Sequence, residues 1–212
     1  MDETTHIFSP KVLDRAFTME LSDVDFTDYP PIATSVDAAM TEAARDALLV
    51  DFSRGGEFIR IDKAEIGLVL SEYPQIRGWL QTLNQLLARS RMNFGYRTFD
   101  EVAAFVGNGM HNFSDPTIEA VFDRAVLMKV LPKFSGSASR LERPLLDFLA
   151  WCVHPVRIPQ AEIRDAAEKL GDGGWLESNH EVFSDDMVLP VTGKRVQRML
   201  DTLAVEGFAS FG

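Results

Sequence analysis

The chain has 212 residues, of which 32 are acidic and 21 basic, and its formal net charge of -11 weighs against a role dominated by binding to phosphate backbones. With 46% hydrophobic residues, including 15 Phe and 3 Trp, it has material for a sizeable core, which excludes disorder throughout. No apolar run approaches the roughly 18 residues that span a bilayer, and no basic, then apolar leader opens the sequence, so a cytoplasmic protein is expected.

In chain order, "SPKVLDRA" offers Ser9 as a helix cap and Pro10 in the first turn, with Val12, Leu13 and Ala16 facing inward. "AFTMEL" then reads as a buried strand, and "SDVDFTDYPPI" as a loop or linker. "VDAAMTEAARDALL", from Val36 to Leu49, is helix-like, and "DFSRGGEFIRI" turns at Gly55-Gly56 before a short β-prone run. A helix is expected to open at Asp62 and stop before Pro74.

The centre has the clearest periodicity. Ile76, Leu80, Leu83 and Leu87 recur at helical spacing, and Trp79 and Leu86 widen the stripe. In "NFGYRTFDEVAAFVGNG" Thr98 and Glu101 have capping-box spacing, with Phe99, Val102, Ala103 and Val106 on one face. That helix is expected to end at Gly107 or Gly109. Two more helices follow. The first carries Ile118, Val121, Phe122, Ala125, Val126 and Met128 and stops at Pro132. "SGSAS" makes the turn. The second carries Leu141, Leu145, Leu146, Leu149 and Ala150 and is interrupted early by Pro144. Beyond Val153 the sequence predicts an irregular entry, a short helix, a loop, a helix from about Thr192 to Glu206, and a short strand in "GFASFG". The fold class expected is mainly α.

Several chemistries find no support. There is no GxxxxGK[ST] loop to cradle a nucleotide's phosphates, and no apolar strand ending in paired magnesium-binding acids. His6, His111, His154 and His180 form no HExxH, and Cys152 with His154 is too sparse for a zinc site, so no metal is expected. Ser135, Ser137 and Ser139 lack a GxSxG setting. The single cysteine, Cys152, cannot make an internal disulfide and reads as a buried thiol in a reducing compartment.

Two arginines stand out. Arg15, at the end of a short helix, presents a planar, permanently charged fork that suits a transferring phosphoryl group; an ion pair with Asp14 is the plain alternative. Arg97 precedes a capped helix whose terminal amides also favour an anion, and Tyr96 beside it can pack on the helix or on a base. A structural ion pair explains Arg97 equally well. Lys194, Arg195 and Arg198 make one side of the last helix basic, although an ordinary solvated amphipathic helix accounts for them.

Taken together, "DETTHIFSPKVLDRAFTMEL", "NFGYRTFDEVAAFV", "FDRAVLMKVLPKFSGSASRLERPLLDFL" and "KRVQRMLDTLAVEGFASF" resemble the C-terminal portion of McrB-like AAA+ NTPases, motors of bacterial restriction and antiviral defence. The resemblance implies a remnant of an AAA+ α/β core over residues 1–35, with "AFTMEL" as its last strand. A helical lid over 36–152 and a C-terminal helical extension over 153–212 would follow. Arg15 would be the arginine finger that reaches a neighbouring subunit's nucleotide, and Arg97 the second sensor arginine, with Tyr96 beside the nucleotide. Such a chain would be the downstream piece of a longer gene or a separate subunit. It would be inactive alone and would use ATP or GTP with Mg only when completed. The implied partners are an upstream AAA+ half or intact NTPase subunits, a hexameric ring and a nuclease, with nucleic acid met only indirectly and no membrane. A noncatalytic helical interaction module, or a DNA-binding module using the last helix, are the alternatives.

Overall fold

The computed structural model describes residues 10–13, 15–19, 41–53, 62–153, 155 and 187–211. Met1–Met19 and Asp62–Gly212 belong to one compact unit, and Glu20–Ile61 to a second. The described residues are mainly helical, as the periodicity requires.

In the larger unit, a single turn α1 (Pro10–Leu13) starts on Pro10, where a missing N–H costs nothing. Helix α3 (Lys63–Glu72) opens as expected: the Asp62 carboxylate accepts from Ala64 N at 2.9 Å. Helix α4 (Gln75–Ala88) buries Ile76, Trp79, Leu80, Leu83, Leu86 and Leu87, the stripe legible in the sequence. Helices α5 (Tyr96–Asn112), α6 (Ile118–Lys129) and α7 (Ala138–Val153) follow, with a 3-10 turn at Leu131–Lys133 where Pro132 stops α6. Helix α8 (Pro190–Glu206) packs mainly on α7 and also on α6, and ends at Gly207 in the left-handed region (φ 72°). A two-stranded antiparallel ribbon, β1 (Gly136–Ser137) and β2 (Phe208–Ala209), pairs Gly136 with Ala209 and ties the end of α8 to the start of α7. The smaller unit contains α2 (Glu42–Ser53), whose side chains from Glu42 to Val50 are all exposed.

The core is aromatic at its centre. Phe122 lies 4.8 Å from Trp79 and 6.2 Å from Trp151, which in turn meets Phe148 at 5.6 Å. Cys152 is fully buried there, and burial, with the charge of Asp123 adding to it, pushes its thiol well above the ordinary value. That thiol is packing material and not a nucleophile.

Several local expectations are corrected. Helix α5 begins at Tyr96 with Gly95 at the cap position, so Thr98 lies inside the helix, where its hydroxyl accepts from Lys133 Nζ at 2.8 Å. Glu101 pairs with Lys129 and closes no capping box. Nor does α5 end at its glycines. A Cβ on Gly107 would lie 2.5 Å from Val69 Cγ2, and one on Gly109 2.4 Å from Val121 Cγ1, so both let neighbouring helices approach. Pro144 sits within α7 without ending it.

"AFTMEL" is also not a buried strand as far as it is described. Residues 16–19 are in neither helix nor strand and pair with no strand among the described residues; Phe17 is 41% and Met19 73% exposed. Thr18 N instead donates to Met128 O at 2.9 Å, so backbone that could have joined a ladder is bonded to the end of a helix. Val12, expected to face inward, is exposed. Ser9, residues 20–40, the Gly55-Gly56 turn with the run after it, and the predicted irregular entry, helix and loop over 156–186 lie outside the described residues.

A control pair tests the close approach. Gly109→Ala is expected to lower stability in urea by up to about 2 kcal/mol, since overpacking of about 1–3 kcal/mol offsets a helix-propensity gain of about 1 kcal/mol. Gly67→Ala, where an added Cβ meets nothing within 4 Å, is expected to gain about 0.5–1 kcal/mol. A gain at both positions would refute the close-packing account.

Candidate functional site

Helices α3 and α4 and the entry to α5 enclose a cleft of about 720 Å³. Its apolar wall comes from Ile66 and Leu70 on α3, Leu80 on α4, and Phe94 and Phe99 around the start of α5. Arg77, Gln81 and Asn84 on α4 and Gly95, Tyr96 and Asp100 complete it. The spacing 77, 80, 81, 84 is one helical face, so α4 offers one stripe to the core and an adjoining, more polar one to the cleft.

Two interactions hold this shape. Asn84 Oδ1 accepts from Phe94 N at 2.7 Å, folding the connection after α4 back so that Phe94 is buried. Lys63 pairs with Asp100 across the cleft's edge, joining the start of α3 to the first turns of α5. The cap position of α5 is held by Gly95, which has no side chain to bond the first amides. The helix dipole adds positive potential there. Arg77, exposed on the wall, contributes the same sign, while the Asp100 carboxylate is matched by Lys63. The arrangement suits a ligand with a flat or apolar body and an anionic group.

Of the residues singled out in the sequence, Tyr96 lines this cleft and is 88% exposed. Arg97 follows it on the first turn of α5 and is exposed. Arg15 is elsewhere in the same unit. It is exposed in the turn after α1, where its N donates to Val12 O at 2.9 Å, and it does not line the cleft. His111 lies exposed in the last turn of α5; His6, His154 and His180 fall outside the described residues. On α8, the Arg195 guanidinium donates to Phe211 O and lies over the Phe211 ring at 5.2 Å, so it secures the C-terminal segment. Lys194 and Arg198 are exposed.

Sequence reasoning passed over Arg77, Asp123 and Lys129. Asp123 is buried, and its two carboxylate oxygens accept from Val191 N (2.7 Å) and Thr192 N (2.9 Å) at the start of α8. Thr192 Oγ1 returns a bond to Asp123 O at 3.0 Å. Lys129, with no exposed side-chain surface, pairs with Glu101. A signal existed for Lys129: positions 122, 125, 126 and 129 form one helical stripe, and a lysine on an otherwise apolar stripe demands a partner.

Residues 53–208 match the family described as Domain of unknown function (DUF8727). No curated protein and no solved structure matches the chain.

Proposed function

The chain belongs to the DUF8727 family, and we propose that it works as the helical, nucleotide-responsive part of an McrB-like AAA+ assembly in bacterial defence, inactive by itself. The observation that carries this reading is the amino end of α5: a helix start with glycine at the cap position and Tyr96 and Arg97 in its first turn, at the mouth of a cleft with an apolar wall and Arg77. Amides, dipole and guanidinium there favour a phosphate, and the apolar wall favours a base. Arg97 contacts the phosphates of ATP or GTP, and Tyr96 packs beside the nucleotide. Arg15 serves as the finger for an adjacent subunit's site. The phosphate loop and the acids that hold Mg²⁺ are not among the 212 residues and are supplied by the partner, an AAA+ half or an intact NTPase subunit in a hexameric ring. The ring drives a nuclease, and the setting is cytoplasmic.

The test is reconstitution with a P-loop-bearing subunit encoded beside this chain. The chain alone should show no ATP or GTP turnover. In the complex, Arg97→Ala should weaken Mg·ATP or Mg·GTP binding by about 10–100-fold, the loss of one charge-assisted hydrogen-bonding group. Turnover by the purified chain, or unchanged nucleotide affinity in the variant, would refute the assignment.

A second reading, a noncatalytic interaction module, draws support from α2, which exposes Leu48, Leu49 and Val50. It predicts assembly with a partner that persists unchanged when no nucleotide binds.

A further inference from the structure

Residues 16–18, just after the turn at Arg15, lie against α5 and α6, and several of the contacts that hold them meet at one buried ammonium. Lys129 Nζ pairs with Glu101 of α5 and donates to Ala16 O at 3.2 Å, while the Phe17 ring covers it at 5.1 Å. Phe17 also stacks on Phe105 of α5 at 5.6 Å. One residue before Lys129, the Met128 carbonyl lies in the last turn of α6, where no intrahelical donor remains, and Thr18 N supplies one.

A buried ammonium is costly unless a counter-charge and further acceptors surround it. Glu101 provides the charge, and the segment provides the Ala16 carbonyl and the Phe17 ring face. Lifting the segment would strip both from Lys129, so its position is energetically tied to the Glu101 pair. Glu101 lies one turn along α5 from Arg97, and Ala16 is next to Arg15. We propose that Lys129 is a positioning residue that registers the Arg15-bearing segment against the first turns of α5, holding Arg15 and Arg97 at a set separation. This does not rest on the nucleotide reading, and its test contains no nucleotide.

The experiment uses the full chain with spin labels at Arg15→Cys and Tyr96→Cys; Cys152, fully buried, escapes labelling. Amide exchange at Thr18 is read in parallel on the unlabelled protein. The parent should give one narrow distance and a protected Thr18 amide. In Lys129→Met with Glu101→Met, both charges are replaced by apolar groups of similar volume, an exchange that commonly preserves stability. That variant should melt like the parent, yet show a broadened distance and Thr18 exchange faster by about 10-fold or more. A purely structural ion pair predicts recovery of stability with both readouts unchanged, and that result in a folded protein would overturn the proposal. If the double variant does not fold, Phe17→Ala decides, because it strips the ring from the ammonium at a partly exposed position. Broadened distances then uphold the latch, and unchanged distances overturn it.

Discussion

Asp123→Ala is expected to destabilise the protein by about 3–5 kcal/mol, read as a shift of the urea midpoint without a change in slope. The carboxylate caps α8 from a different helix, and its loss leaves the amides of Val191 and Thr192 without that acceptor at a partly buried helix start. Charged acceptors of this kind are worth about 1.5–3 kcal/mol each. Helix α8 packs mainly on α7, so the effect should appear as loss of the whole α6–α7–α8 core and not as fraying of one end. Asp123→Asn keeps one carbonyl oxygen and should cost less, about 1–2 kcal/mol.

The same residue predicts a pH dependence. Burial raises the Asp123 carboxyl above its ordinary 3.8, an effect only partly offset by the bonds from Thr192 and Val191 and by the charge of Arg124. The folded state therefore holds this proton more tightly than the unfolded chain. That contribution to stability is fully present below pH 3.8 and is lost as pH rises through the raised folded value. The stability gap between the parent and Asp123→Asn should be wider at about pH 3 than at about pH 7. A gap that widens with rising pH would mean that the hydrogen bonds outweigh burial.

In a reconstituted complex, Arg15→Ala is expected to reduce nucleotide turnover by about 10³-fold or more while changing nucleotide affinity much less. An arginine that meets charge developing on a transferring phosphoryl group acts mainly in the transition state, so kcat carries the loss. Arg15 suits that role: it is exposed at a turn, on a segment braced by Lys129 and by the Thr18–Met128 bond. Arg15→Lys should rescue little, since a point charge cannot replace the planar fork. Equal losses in turnover and binding would instead assign Arg15 a structural role.

Much of the architecture was legible because helices announce themselves by spacing. The stripe of α4 and the Asp62 cap of α3 are local patterns, and the structure keeps both. Misreadings arose where a local signal was taken up by a distant partner. Thr98 and Glu101 had the spacing of a cap, but Lys133 and Lys129 claim them from α6 and the turn after it. Gly107 and Gly109 resembled helix stops, yet they serve contact with Val69 and Val121. "AFTMEL" had the composition of a strand, and whether it enters a ladder depends on what lies beside it. Here that neighbour is the carbonyl end of α6.

The sequence by itself determined the mainly helical class, the acidic surface, the lack of a phosphate loop within these 212 residues, and the placement of Tyr96 and Arg97 near a helix start. Those follow from composition and from periods of a few residues. Only the tertiary structure decided that α3 and α4 open a cleft at that helix start, that Asp123 caps a helix 68 positions away, and that Lys129 holds a segment 113 positions away. Buried charge and orphaned backbone groups must find partners, and which partners come within reach is set by helix packing, which no local pattern encodes.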